Sequence, residues 1–215
     1  MKHPRAFVHT VTRSKDKCDI TMDHLNSLGI TAERFMGIDS RLMNLSANNL
    51  FERDGVSMGR YPDGSPVPGE RIGIMPTGGY LGTYMMWKVL SYLPEDEFWC
   101  LEDDAEFPND WEIQYRKAMS NLPTDWDIVY IGSCCTKNKP AQRIGGMNSN
   151  LWDVRYPMCN HGMQIRKKAL PVLLEVHQHL WAPLDIAMLY DSLPKLRVFT
   201  ILPRLVSQRG TFIPV

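Results

Sequence analysis

The residues best placed to do chemistry are Glu102, Asp103 and Asp104, which follow the apolar run Phe98-Trp99-Cys100-Leu101 without a break. A run with no polar alternation reads as a strand buried on both faces, central in a parallel sheet. The acids then stand at its carboxyl end, where open α/β sheets bind ligands. Adjacent carboxylates repel and raise one another's pKa, and a divalent cation relieves the conflict. Oxygen donors suit magnesium or manganese. In an extended chain Glu102 and Asp104 point to the same side, so the expectation is that these two share one metal. The same pattern also results when a strand simply ends in a solvated acidic turn.

An element must position those acids, and the rest of the chain supplies candidates. Ala6 to Thr12 is β-branched and aromatic and predicts a first strand. Ser14 is placed to cap a helix in which Cys18, Met22 and Leu25 share a face and which Gly29 ends. Glu33 to Ile38 predicts a second strand, closed by Asp39. Strand, helix, strand is the unit of a parallel α/β sheet. From Arg41 to Gly79, Asn48-Asn49, Asp54-Gly55, Asp63-Gly64 and the prolines 62, 66 and 68 break periodicity and predict a loop insertion. A long insertion of this kind serves function or is a tolerated surface excursion.

Gly78-Gly79 then opens a helix whose Tyr80, Tyr84 and Trp87 form a core stripe. After the acidic strand come a helix capped by Asn109 or Asp110, with Trp111, Tyr115, Ala118 and Leu122 inward, and a strand from Trp126 to Ile131. Lys137 to Asn150 reads as a polar loop, and Met158 to Ile165 as a strand carrying His161. Arg166 to Leu180 reads as a helix, Pro183-Leu184-Asp185 as the start of a short one, and Arg197 to Leu202 as the last strand. His177 and His179 read as helix-face residues. The alternation argues for one α/β domain over residues 1–215.

Composition narrows the function classes. Twenty-four basic side chains balance twenty-four acidic ones, so no global field draws in nucleic acid. No apolar run approaches the length of a membrane span. The start, Met1 to Val8, holds too short an apolar stretch for a signal-peptide core. Five cysteines, with Cys134 and Cys135 adjacent, fit reduced thiols in the cytoplasm better than a disulfide framework.

Several blocks, in this order, resemble the family-25 glycosyltransferases, which include bacterial lipooligosaccharide galactosyltransferases and collagen galactosyltransferases. The blocks are Arg13-Ser14 through Leu28-Gly29-Ile30 to Glu33-Arg34-Phe35 and Gly37-Ile38-Asp39; Gly79-Tyr80-Leu81-Gly82 to Trp87-Lys88; Leu101 to Phe107; Trp126 to Gly132; His161-Gly162-Met163 with Arg166 to Ala169; Pro183-Leu184-Asp185; and Leu205 to Gln208. Leu101-Glu102-Asp103-Asp104-Ala105-Glu106-Phe107 is the most specific. Met85-Met86 stands where the family has Ser-His, and Asn160 to Met163 replaces a tyrosine-rich strand. The short chain and the lack of an export signal resemble a virus- or phage-encoded member, working in the host cytoplasm.

The resemblance implies a single GT-A (Rossmann-like) domain with a mostly parallel central sheet flanked by helices. It implies a metal-dependent transfer of a hexose from a UDP-sugar to a hydroxyl of a glycan or glycoprotein, with manganese or magnesium as cofactor. Glu102-Asp103-Asp104 then fills the place of the Asp-x-Asp motif: Glu102 and Asp104 for metal, Glu102 also for ribose, Asp103 to orient the sugar. Thr12, Arg13, Asp39, Gly79 and Arg209 are expected around the donor, with Arg204 and Gln208 near the diphosphate. Asp185 is the first candidate for the acceptor's base, and His161 the second, because imidazole titrates near neutrality. Two other classes share the acids. One is a metal-dependent phosphoryl or nucleotidyl transferase, although no lysine follows Gly78-Gly79 as a phosphate loop requires. The other is a non-catalytic nucleotide-sugar-binding module, which the Met85-Met86 departure keeps open.

Overall fold

The computed structural model describes residues 3–42, 52–53, 56–57, 74–134, 141–154, 157–178 and 180–210. Most of the predicted 41–79 insertion, together with Cys135 and His179, lies outside them.

The chain opens with β1 (Arg5–Thr10), a 3-10 turn at Thr12–Ser14, α1 (Lys15–Ser27) and β2 (Ala32–Met36). Gly29 ends α1 with φ +73°, a left-handed value that glycine adopts at no steric cost. Ser14 precedes α1 as expected, but its side chain caps nothing. The fragments β3 (Glu52–Arg53) and β4 (Val56–Ser57) pair with each other. Then come α2 (Ile74–Leu90), β5 (Glu97–Glu102), β6 (Ala105–Glu106), α3 (Trp111–Met119), β7 (Ile128–Cys134), β8 (Ala141–Ile144) and β9 (Leu151–Val154). The last elements are β10 (Met158–Arg166), α4 (Leu170–Val176), α5 (Leu184–Ala187), β11 (Val198–Ile201) and β12 (Ser207–Gln208).

Eight strands form one sheet in the order β2-β1-β5-β10-β7-β11-β9-β8. β2, β1, β5, β7, β11 and β8 run one way, and β10 and β9 run against them. The mostly parallel α/β sheet expected from the sequence is therefore present, with two antiparallel insertions.

The apolar run of β5 explains its central place. Phe98 and Cys100 face one core with Phe7, Trp87, Leu90, Leu170, Leu173 and Leu184, under α2, α4 and α5. Trp99 and Leu101 face the opposite core with Val8, Leu25, Trp111 and Tyr115, under α1 and α3. Both faces of the sheet are covered, so no residue from Phe98 to Leu101 need be polar.

Three expectations change. α2 begins at Ile74, so Gly78 and Gly79 lie inside the helix instead of opening it. Gly78 and Gly82 are one turn apart and let α2 ride close on the sheet. A Cβ on Gly78 would stand 2.8 Å from the Ile38 carbonyl, and one on Gly82 would stand 2.1 Å from His9 Nε2. Within 137–150, residues 141–144 are the strand β8 and not loop, because they pair with β9 at the sheet's edge. Finally, Cys134 at the end of β7 forms a disulfide with Cys159 in β10, against the expectation of reduced thiols. Cys18 and Cys100 are free and buried.

Candidate active site

β5 delivers the acids, but the strand stops at Glu102, and Asp103 and Asp104 turn out of it before β6. The alternation that would have aligned Glu102 with Asp104 is lost in that turn. Asp103 and Asp104 instead share one cation. Lys17 Nζ of α1 stands 3.1 Å from Asp103 Oδ1 and 2.8 Å from Asp104 Oδ2. Thr10 Oγ1, at the end of β1, donates to Asp103 Oδ2 at 2.9 Å.

The segment from β12 to Arg209 closes over this turn. β12 pairs with β6, and Arg209 N donates to the Asp104 carbonyl at 2.8 Å. That ladder brings Gln208 Nε2 to Glu102 Oε2 at 3.0 Å.

Two clefts meet at Glu102. The first, about 290 Å³, is lined by Thr10, Arg13, Lys17, Ser40 and the three acids. The second, about 270 Å³, is lined by Thr83, Asn160, Asp185 and Gln208. His9, Gly79 and Glu102 line both. Glu102 thus stands on the wall between the clefts, beside His9, its parallel partner in β1.

The electrostatics are unbalanced. Burial pushes the Glu102 carboxyl up to about 7, and the charges of Asp104 and Asp103 add to the effect; Lys17 and the Gln208 hydrogen bond only partly offset it. Burial alone would lower the Lys17 ammonium's pKa. The hydrogen bonds and charges of Asp104 and Asp103 outweigh that and hold it above the ordinary lysine value. Asp104 Oδ1 is buried and, among the described residues, meets no hydrogen-bond donor.

These observations fit a hard divalent cation. The donors are carboxylate oxygens, one is orphaned, and the cluster is short of positive charge. Among the described residues no three His, Cys, Asp or Glu side chains form a metal cage. Magnesium-type sites need none, since one or two carboxylates and a substrate phosphate suffice.

The other expected residues divide. Arg13 lines the first cleft and pairs with Asp39, Nε to Oδ2 at 3.0 Å, and the buried Asp39 also accepts from Arg41 N. Thr12 lies beside them, exposed in the 3-10 turn. Gly79 is exposed on α2, and a Cβ there would meet nothing within 4 Å among the described residues. Asp185 faces the second cleft, its Oδ2 accepting from Cys159 N at 3.3 Å and its Oδ1 from Ile186 N at 2.9 Å. The Arg209 guanidinium reaches Thr21 on α1 and lines neither cleft.

His161 does not join them. Its ring is fully buried, Nε2 donates to the Val206 carbonyl at 3.1 Å, and burial next to the Arg204 charge lowers its pKa to about 4. It is a core imidazole and is not positioned to take a proton from an acceptor. Met85 and Met86 also stand apart, one exposed and one in the core.

Two site residues were not legible beforehand. Lys17 lies in a helix read only for the face of Cys18, Met22 and Leu25, and only the tertiary fold sets it on the acids. His9 alternates with Phe7 in β1, which is a signal for one face of the sheet. It says nothing of the two glycines, Gly37 and Gly82, that enclose the ring.

No protein-family model and no curated protein matches the chain. Among solved structures it is similar to a glycosyltransferase involved in the glycosylation of the major capsid of PBCV-1. The identity is 10% and the TM-score 0.47, over 93% of this chain and 82% of that one. It is similar to the glycosyltransferase GlyE of Streptococcus pneumoniae TIGR4 at 9% identity and a TM-score of 0.44, over 94% of this chain; it spans only 46% of that protein. The inositol-1-phosphate CTP transferase of T. maritima gives 12% identity and a TM-score of 0.34, over 92% of this chain and 66% of that one. At such scores these likenesses concern the course of the backbone and carry no argument about chemistry.

Proposed function

We propose that the chain is a GT-A-type glycosyltransferase that moves a hexose from a UDP-sugar to a hydroxyl of a glycan or glycoprotein. One observation carries the reading: Glu102 at the end of β5 stands where two clefts meet, and Asp103 and Asp104 line the first of them. A donor and an acceptor bound on either side of that wall would bring their reacting atoms together there. The family-25 resemblance of the same blocks supports it.

In this reading the first cleft takes the nucleotide diphosphate. Arg13, held by Asp39, and Ser40 border it, and Lys17 offers the diphosphate an ammonium. Asp104, with Glu102, would hold manganese or magnesium, and the ion when bound supplies positive charge against the departing diphosphate. Asp103, fixed by Thr10, orients the sugar. In the second cleft Asp185 receives the proton of the acceptor hydroxyl as its oxygen bonds to the sugar's anomeric carbon and the bond to the diphosphate breaks. Two backbone N–H groups fix that carboxylate before the acceptor arrives.

The test is a panel of nucleotide sugars screened for metal-dependent hydrolysis, alongside thermal shift with UDP and manganese. A UDP-hexose should be cleaved and UDP with manganese should raise the melting temperature. No shift and no turnover with any UDP-sugar would overturn the reading.

A further inference from the structure

The geometry points to Lys17 as a built-in cation that holds Asp103 and the metal-binding Asp104 and that a divalent ion must displace from Asp104. The inference rests on the metal reading above and deepens it. Lys17 lies in the first turn of α1, and its ammonium touches Asp103 and Asp104 at once. The remaining oxygens of the two acids differ. Asp103 Oδ2 is engaged by Thr10, whereas Asp104 Oδ1 is buried with no donor among the described residues. The lysine therefore satisfies half of the Asp104 carboxylate and leaves half unpaired.

Lys17 is also free to leave. Its side chain is 47% exposed, while those of Asp103 and Asp104 are 15% and 13% exposed. A flexible four-carbon stem carries the ammonium, and the same residue lines the first cleft. A divalent ion approaching Asp104 meets an ammonium already on the carboxylate, and the two cations repel. Displaced, the ammonium remains within the cleft, where a diphosphate offers it new oxygens. Lys17 thus weakens metal binding to the free protein and spares that penalty once the diphosphate is present. The metal is then retained chiefly in the donor complex.

The test measures manganese alone, with no donor and no turnover. Free aqueous manganese is followed by its EPR signal as protein is titrated in, for the wild type, Lys17→Met and Lys17→Arg. Removing the competing charge should tighten manganese binding by about fivefold, the upper range for a partly exposed ion pair. Lys17→Arg keeps the charge and should stay near the wild type. In the presence of UDP the gain from Lys17→Met should shrink or reverse, because the displaced ammonium then has phosphate oxygens to meet. If Lys17→Met folds poorly, Lys17→Gln must show the same gain. Affinity equal to or weaker than wild type in the uncharged variants overturns the inference. If neither wild type with UDP nor any variant depletes free manganese, the metal reading itself fails. If wild type with UDP binds manganese and the uncharged variants gain nothing, only the role of Lys17 fails.

Discussion

Asp104 is held at one oxygen and bare at the other, and that asymmetry sets what its removal should do. In Asp104→Ala the orphaned buried oxygen disappears, and Lys17 keeps Asp103 as a partner. The fold should therefore survive with an unchanged far-UV spectrum. Metal-dependent UDP affinity by calorimetry should drop further than the roughly tenfold to hundredfold that an outer-shell partner costs. Wild-type affinity in the variant would remove Asp104 from the site. Buried imidazoles contribute to the response to acid, His161 and His177 among them. Burial, with the Arg204 charge, lowers the pKa of His161 to about 4, and burial, with the Lys195 charge, does the same to His177. His177 lies between the Tyr80 hydroxyl and Ser192 Oγ, both at 3.0 Å. An unfolded chain protonates both rings near pH 6.5, whereas the native chain resists until about pH 4. Their stabilising effect is complete above pH 6.5 and is lost as pH falls to 4. Each ring then costs on the order of 3 kcal/mol. Denaturant unfolding at pH 7, 5.5 and 4.5 should show the decline, and His161→Gln should flatten its slope by about one proton. An unaltered slope would mean that His161 already titrates normally.

At the level of elements, glycine spacing in α2 governs how closely the helix approaches the site. A Cβ on Gly82 would lie 2.1 Å from His9 Nε2, a ring that packs as closely on Gly37, where a Cβ would lie 2.0 Å from the same atom. Gly82→Ala should cost about 1–3 kcal/mol through overpacking. It should also weaken UDP binding, because His9 lines both clefts. Gly79→Ala is the contrast: its Cβ meets nothing within 4 Å among the described residues, and a helical alanine gains up to about 1 kcal/mol over glycine. It should keep stability while narrowing both clefts, and melting curves paired with UDP titrations separate the two. If Gly82→Ala melts like the wild type, α2 does not press on His9. Elements with strong local signals were legible in the sequence. The β5 run lacks alternation because two cores cover it, and Trp111, Tyr115 and Ala118 repeat at helical spacing. β6 and β12 were not, since two-residue strands exist only through their pairing across more than a hundred positions. Gln208 meets Glu102 by that pairing alone. The strand alignment of Glu102 with Asp104 was lost for a local reason: β5 ends at Glu102, two residues before Asp104, so the alternation does not reach it.

Across the whole molecule, the Cys134–Cys159 disulfide ties the sheet to the second cleft. It joins β7 to β10, where the register between the two strands slips between Met158 and Gly162. Cys159 itself adopts φ 63°, unusual for a side-chain-bearing residue, and its backbone N–H holds Asp185. The bond thus constrains the residue that orients the proposed base. Closing a loop of 25 residues restricts the unfolded chain by about 3 kcal/mol in the chain-entropy description. For a chain of this length, Cys134→Ser should lower the melting temperature by roughly 6–12 °C, at about 2–4 °C per kcal/mol. A stability effect alone would leave UDP affinity intact, since the first cleft is lined from β1, α1, α2 and the acid turn. Acceptor-dependent turnover should suffer more than donor hydrolysis, because Cys159, Asn160 and Asp185 all line the second cleft. Thiol titration of the denatured, unreduced chain provides the direct check. Five cysteines less one bonded pair leave at most three reactive thiols. Finding all five without reductant would remove the bond, and with it the fixed position of Cys159 beside Asp185.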